Sequence, residues 1–132
     1  MLNLTQHKAT EDQKASDIQD MSPEMLAVIV KLLTFEEVPS AEEMRLRAKE
    51  ISSLVKETGT TEVMIGGAPF FMSSLEAALQ SAGIQPHYAF SKRESVDQIQ
   101  PDGSVRKVAV FKHITTFPAV QLDTAAWASV VA

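Results

Sequence analysis

The chain has 132 residues and contains no cysteine, one tryptophan and one tyrosine. The absence of cysteine excludes disulfides, thiolate catalysis and cysteine-ligated metal sites. The longest apolar run, residues 26–33, is interrupted by Lys31 and is far shorter than the ~20 residues that span a bilayer. The N-terminus has no basic region followed by an apolar stretch, so we expect no secretory signal and a cytoplasmic protein.

The net charge limits the classes of partner that the protein can bind. The net charge of -5 disfavours a nucleic-acid polymer as a partner, because binding its backbone requires Lys and Arg to neutralise phosphates. Residues 1–62 carry 12 acids and 7 bases, whereas residues 63–132 carry 5 of each. All bases of the second part lie between Lys92 and Lys112. An anionic small molecule is therefore compatible with that region.

Length and composition predict a single domain. With 45% hydrophobic and 22% charged residues, the chain resembles a soluble folded protein rather than a disordered one. We predict one α/β domain over residues 1–117 and a tail over residues 118–132 that packs on the domain or forms an interface.

Strand and helix patterns alternate along the sequence. Short strands are predicted over residues 2–5 and 62–65. A capping hydroxyl or an N1 proline marks each helix start, and glycine ends two of the helices. The predicted helices span residues 10–20, 22–34, 40–59 and 69–83.

The last part of the domain has the pattern of a β-hairpin. A strand starting at Tyr88 and a β-rich run over residues 105–111 flank the turn segment Pro101-Asp102-Gly103-Ser104. A turn placed between residues 100 and 105 sets Lys92 opposite His113 and Glu94 opposite Phe111.

These elements predict a small three-layer Rossmann-like α/β domain, with three parallel strands and an antiparallel edge strand from the C-terminal hairpin. Ligands of such sheets bind beyond the carboxyl ends of the parallel strands. This rule gathers polar or glycine residues from three segments into one site. They are Thr5, Gln6 and His7 after the first strand, Gly66 and Gly67 after the second, and Ser91, Arg93, Glu94 and Ser95 in the third.

The Gly66-Gly67 turn joins a buried strand to a helix that begins at Pro69. Glycine lets another group approach the main chain, and the N–H groups of a helix start attract anions. The alternative is a tight turn in which glycine only allows close packing. The segment matches neither G-x-G-x-x-G nor a P-loop.

Two charged residues of the hairpin are candidates for ligand contact. Arg93 can bind phosphate or carboxylate in a bidentate manner, and Glu94 can orient it or act as a base. The alternative is a hydrated surface with weak cross-strand ion pairs.

His7 is a candidate acid or base, because an imidazole at a strand end titrates near neutral pH. It can instead cap the local turn. We interpret His87 as an ordinary surface residue and His113 as a marginal site candidate. The histidines lack zinc-ligand spacing, and helix capping explains the acidic cluster over residues 36–43, so we expect no metal and no cofactor.

Three segments carry a family resemblance. They are residues 2–10 (LNLTQHKAT), 64–69 (MIGGAP) and 88–95 (YAFSKRES). They resemble a family of small uncharacterised bacterial and phage proteins, and the resemblance covers the chain to about Phe117. It implies one compact domain and transfers no catalytic residue. The architecture is also similar to small Rossmann-like sensors that bind nucleotides.

Three hypotheses on function follow. The first is a cytoplasmic domain that binds a nucleotide-like or other anionic small molecule through Gly66, Gly67 and Arg93, with hydrogen bonds from Thr5, Gln6 and Ser91. The second is a non-enzymatic interaction module, a homodimer formed through the hairpin edge or the C-terminal tail. The third is a phosphodiesterase or other hydrolase that uses His7 and Glu94.

Overall fold

The order of strands and helices follows the predicted alternation closely. A computed structural model describes residues 1–120 of the chain. Its elements are β1 (Leu2–Leu4), α1 (Glu11–Ala15), β2 (Gln19–Asp20), α2 (Pro23–Leu33), α3 (Ala41–Glu57), β3 (Glu62–Ile65), α4 (Pro69–Ser81), β4 (Gln85–Ile99) and β5 (Val105–Pro118).

Side-chain caps fix the starts of three helices. Thr10 and Gln13 form a reciprocal capping box at α1, as the sequence predicts. Ser22 and Ser40 each accept a backbone N–H of the first turn of α2 and α3. The first backbone N–H groups of a helix have no partner within the helix, and these hydroxyls accept hydrogen bonds from them. The predicted starts of the three helices are confirmed.

The five strands of the described residues form one sheet in the order β2-β1-β3-β4-β5. The first four strands are parallel, and β5 is antiparallel to β4. The mixed α/β class and the antiparallel hairpin are thus confirmed. The prediction of three parallel strands missed β2, whose two exposed residues have no apolar alternation and had been assigned to the first helix.

The main core lies between one face of the sheet and α2, α3 and α4. Its fully buried members include Leu4, Ile29, Phe71 and Leu75. Each such side chain contributes about 1.5–3 kcal/mol by leaving water. A much smaller cluster of Ala9, Ile18 and Met64 covers the other face, and α1 itself has no buried residue.

The β4–β5 hairpin extends well beyond the other strands. β3 ends opposite Tyr88, and β4 continues for eleven more residues, about 35 Å at the rise of a strand. We call residues 89–116 the ribbon. Nearly all of its side chains are exposed, with His113 as the buried exception within the described residues.

The hairpin register corrects the sequence prediction by one residue. Lys92 lies opposite Lys112 rather than His113, and Glu94 lies opposite Val110 rather than Phe111. The cause is a three-residue turn of odd length. The Gly103 N–H donates to the Gln100 carbonyl, and Gly103 has a φ of 84°, so Gln100 itself pairs with Ser104.

A second irregularity lies near the root of the ribbon. Phe90 pairs with Thr115 but Ser91 pairs with His113, so Ile114 is an extra residue in β5. This bulge returns the pairing of residues 87–90 to the register that the sequence predicts.

The described part of the C-terminus continues the sheet for one residue past β5. The Ala119 N–H donates to the Pro86 carbonyl at 2.9 Å. The rest of the predicted tail, residues 121–132, lies outside the described residues. Across residues 1–120, the helices are all too short or too polar to cross a membrane.

Candidate functional site

A cavity of about 420 Å³ lies where the carboxyl ends of β1 and β3 meet. Residues 5–8 form one side of it, and the Gly66-Gly67 turn forms another. Tyr88 and Ala89 of β4 and two side chains of the α1 start, Thr10 and Gln13, complete the lining. The cavity therefore lies at the ends of β1 and β3 and beside the middle of β4, three neighbouring strands of the sheet.

A second cavity of about 560 Å³ lies between α2 and α3, but its main polar group already has partners. Arg47 donates to the Thr34 carbonyl at 2.7 Å and to Glu43 at 2.9 Å. Its guanidinium also lies 4.4 Å from the centre of the Phe35 ring. These contacts explain Arg47 as a structural link that satisfies the α2 C-terminus. The strand-end cavity is the better candidate.

The loop after β1 takes its shape from a buried asparagine. Asn3 is 2% exposed, and its Nδ2 donates to the His7 carbonyl at 2.7 Å and to Asp20 Oδ1 at 2.9 Å. Its Oδ1 accepts the Thr5 hydroxyl at 2.7 Å. Asp20 Oδ1 also accepts the Ala9 N–H at 2.8 Å. One amide thus ties both ends of the cavity loop to β2.

This network stabilises the ionised form of Asp20. The N–H of Ala9 and then the amide of Asn3 lower the pKa of the Asp20 carboxyl below its usual value. Hydrogen bonds to a carboxylate favour its ionised form, so the loop is held by an anionic acceptor at neutral pH.

The two glycines of the turn have different roles. Gly67 has a φ of 151°, and a Cβ there would meet Met72 Cε at 3.4 Å on the core side. The backbone therefore requires glycine at this position. A Cβ on Gly66 would lie 3.6 Å from Thr5 Cγ2, an ordinary contact across the cavity.

The start of α4 differs from the other helix starts in lacking a side-chain cap. Ala68 stands at the N-cap, Pro69 at the first helical position, and no acid lies in the first turn. Within residues 1–120, the N–H groups of Gly67, Ala68 and Phe70 have no hydrogen-bond acceptor. They are donors available beside the cavity.

The structure brings together five of the nine predicted site residues. Thr5, Gln6, His7, Gly66 and Gly67 all line the cavity. The Thr5 hydroxyl is already bound to Asn3, and the Gln6 amide donates to the Thr34 hydroxyl at 3.1 Å.

The other four predicted residues lie on the ribbon and do not line the cavity. They are Ser91, Arg93, Glu94 and Ser95. Arg93 is four residues beyond Ala89, about 13 Å along an extended strand. Arg93 lies opposite Phe111, and Glu94 opposite Val110. Their use in ligand binding stays a prediction.

Sequence reasoning missed Lys8 and Asn3. Lys8 is the only lysine or arginine among the described residues that line the cavity. The sequence feature that could have identified Lys8 is its position directly after His7, in a loop at the end of a strand. No sequence feature could have identified Asn3, because the hydrogen-bond partners of a polar residue inside a short strand depend on the folded structure.

Tyr88 lines the cavity, and its hydroxyl is hydrogen-bonded to a residue that does not line it. The phenol donates to Glu76 Oε2 at 2.9 Å. Burial, and then the neighbouring Glu76 carboxylate, raise the pKa of the Tyr88 phenol far above its usual value. Tyr88 therefore lines the cavity in its neutral form and is not a candidate base.

The remaining histidines are more buried than the sequence suggested. His87 is 9% exposed, and its Nε2 lies 3.1 Å from Glu62 Oε1, so the interpretation as a surface residue is wrong. In the sheet it lies between Met64 of β3 and Pro118 of β5. His113 is equally buried, and its ring nitrogens have no partner within residues 1–120.

Fold and cavity define a mixed α/β protein with a space of small-molecule size at its parallel strand ends. The model of the Uncharacterized protein MJ1673 family matches residues 1–116, and the chain belongs to that family. The expected membership of an uncharacterised family is thereby confirmed. Neither a search of curated proteins nor a search of solved structures found a match.

Proposed function

We propose that this protein is a cytoplasmic domain that binds a nucleotide-like or other anionic small molecule in the strand-end cavity. The observation that carries the proposal is the convergence of residues 5–8 with the Gly66-Gly67 turn around one space of about 420 Å³. Cavities that hold small ligands typically measure about 300–1,000 Å³. A single nucleotide fits such a volume, whereas a polymer does not.

The strand order supports this location. The chain passes from β1 outward to β2, and then crosses back over β1 to β3. Connections therefore leave the ends of β1 and β3 in opposite directions, and ligands of open α/β sheets bind in the crevice that this reversal creates. A strand order of 2-1-3-4-5 is also found in doubly wound nucleotide-binding folds. The Rossmann-like character expected from the sequence is part of the proposal.

The charges around the cavity support an anionic ligand. Lys8 provides a positive charge on one side. On the other side Gly67 lines the cavity, and the N–H groups of Gly67, Ala68 and Phe70, which have no acceptor within residues 1–120, give the adjacent α4 start partial positive charge. No aspartate or glutamate of the described residues lines this cavity.

Binding is better supported than turnover. His7 is exposed, and its ring forms no hydrogen bond within residues 1–120, so it is the candidate acid or base if a reaction occurs. The second group of the hydrolase hypothesis, Glu94, lies on the ribbon opposite Val110. A residue that orients the His7 ring is absent from the hydrogen bonds of the described chain.

The test is a thermal-shift titration of the purified protein with nucleotides and other anionic metabolites. A ligand at 100 times its dissociation constant stabilises the folded state by about 2.7 kcal/mol, which is several degrees in Tm. We expect Lys8→Ala to raise the ligand concentration that gives half of the maximal Tm shift at least tenfold. Lys14→Ala is the matched control, since Lys14 also lies near Asp20 but does not line the cavity.

Two further variants locate the ligand. Gly66→Val places methyl groups in the cavity without the backbone strain expected at Gly67, and should abolish the response. Arg93→Ala tests whether the ligand reaches the ribbon. The proposal fails if no anion raises Tm, or if Lys8→Ala and Lys14→Ala respond alike. Cell fractionation would test the cytoplasmic location.

A further inference from the structure

The strand-end cavity offers a ligand little positive charge. Lys8 is the one lysine or arginine among the described residues that line it, and none of the aspartates and glutamates of residues 1–120 does so. The adjacent α4 start adds a partial charge equivalent to about +0.5 elementary charge. The positive charge that can face a ligand is therefore close to what one anionic group requires.

Part of the Lys8 charge already acts on a carboxylate of the protein. The Ala9 N–H and the Asn3 amide lower the pKa of the Asp20 carboxyl most, and the nearby charges of Lys14 and Lys8 lower it further. Lys8 thus interacts favourably with ionised Asp20 before any ligand is present. This interaction reduces the negative charge that Lys8 can neutralise on a ligand.

A second carboxylate and the charge of the whole region also oppose a highly charged ligand. Glu76 Oε2 accepts the hydroxyl of Tyr88 at 2.9 Å, although Glu76 itself does not line the cavity. Residues 1–89, which include every residue of the lining, contain 13 acids and 7 bases. An excess of one charge repels further groups of the same sign unless they are paired locally. Each phosphate beyond the first therefore meets repulsion.

Most polar side chains of the lining already take part in hydrogen bonds within the protein. They are Thr5, Gln6, Thr10 and Gln13. The polar side chains of the lining that form none within residues 1–120 are Lys8 and His7. Two such side chains match one phosphate group better than a chain of phosphates.

The remainder of the lining suits an uncharged body. Met64, Ile65, Tyr88 and Ala89 line the cavity, and the phenol of Tyr88 is neutral. Apolar and aromatic walls with few polar groups are typical of sites that hold the ring of a small molecule. The volume of about 420 Å³ lies in the lower part of the range for such sites, about 300–1,000 Å³.

We propose that the ligand of this cavity carries one phosphate group on an uncharged body, as a nucleoside monophosphate does, and that the di- and triphosphates of the same nucleoside bind less tightly. A phosphate monoester has a charge of about -1.5 to -2 at pH 7, which Lys8 and the α4 start largely neutralise. This inference rests on the proposed function, because it names the ligand class of the same cavity.

Isothermal titration calorimetry of the full-length protein in magnesium-free buffer tests the charge of the ligand. The probes are adenosine, guanosine, cytidine and uridine, each with its mono-, di- and triphosphate. For the nucleoside whose phosphates bind best, we expect the Kd of the monophosphate to be at least tenfold below the Kd of the triphosphate. It should also be at least tenfold below the Kd of the uncharged nucleoside.

A variant that adds a cation to the cavity tests the cause of this preference. Gln13→Lys places a second ammonium group in the lining and should lower the Kd of the triphosphate at least tenfold. Ser16→Lys is the matched control, since it adds the same charge at the other end of α1, outside the cavity. It should leave the preference for the monophosphate unchanged. Circular dichroism verifies that both variants are folded.

The outcomes separate this inference from the proposed function. A triphosphate that binds at least as tightly as the monophosphate, with both weakened by Lys8→Ala, would overturn the inference and leave the proposed function standing. Equal effects of Gln13→Lys and Ser16→Lys would overturn it too. A nucleoside that binds as tightly as its monophosphate would contradict the proposed function itself. If none of the probes binds, the inference fails together with the nucleotide form of the proposed function.

Discussion

The side-chain amide of Asn3 donates a 2.7 Å hydrogen bond to the backbone carbonyl of His7, four residues further along the chain. This contact makes the cavity loop part of the sheet, because Asn3 is itself paired in β1 with Met64 and Asp20. These bonds hold the backbone of the loop around His7 in one arrangement.

Asn3→Ala should therefore destabilise the protein strongly. The change removes the two hydrogen bonds that Asn3 donates and the two that it accepts, each with a net contribution of about 0.5–1.5 kcal/mol. We expect the free energy of unfolding in urea to fall by about 2–4 kcal/mol. Gln6→Ala is the control, since its hydrogen bond to Thr34 is exposed. A loss for Asn3→Ala no larger than for the control would contradict this role.

Acid should destabilise the protein partly through Asp20. Its pKa is lowered in the folded state, so the unfolded chain takes up the proton at higher pH. The contribution of Asp20 is complete above the unfolded pKa, near 3.8, and is lost as pH falls through the folded value. In the Asp20→Asn variant the free energy of unfolding should fall less steeply as the pH decreases below 5. An unchanged slope would show that the network does not depend on the charge.

The two glycines of the turn should respond differently to alanine. Gly67→Ala forces a side chain onto a φ of 151°, which L residues rarely adopt, and should cost about 1–3 kcal/mol. Gly66→Ala meets only an ordinary contact with Thr5 and should cost less than about 1 kcal/mol. Chemical denaturation of both variants measures the difference. Equal losses would mean that the turn is not constrained at Gly67.

Tyr88 should resist ionisation, and it is the only tyrosine of the chain, so its titration can be read from ultraviolet absorbance alone. Burial and Glu76 raise its pKa, and the native protein should show no phenolate transition near pH 10. The urea-unfolded chain should titrate near 10. Because the folded pKa is the higher one, this contribution to stability is present below pH 10 and is lost above it. A native transition near pH 10 would show that the hydroxyl is free.

The local elements were largely predictable from the sequence because their signals are local. Ser22, Ser40 and Pro69 mark helix starts through contacts within one turn, and residues 62–65 form the predicted strand. The gathering of Thr5, Gln6 and His7 with Gly66 and Gly67 also followed from a topological rule.

The failures have non-local causes. β2 is a strand only because Gln19 and Asp20 pair with β1, which no pattern in those two residues reveals. Asn3 acts through Asp20, seventeen residues away. His87 pairs with β3 on one side and with β5 on the other, an interior position that its sequence neighbours do not reveal. Arg93 does not line the cavity, because β4 continues beyond the end of β3.

The bulge at Ile114 has one further consequence. The odd turn shifts the pairing by one residue, and the extra residue in β5 shifts it back, so residues 91–113 form a self-contained cassette between fixed anchor points. Because the two shifts cancel, a different hairpin that contains the same pair of shifts should replace residues 91–113 and still leave Tyr88 paired with Phe117.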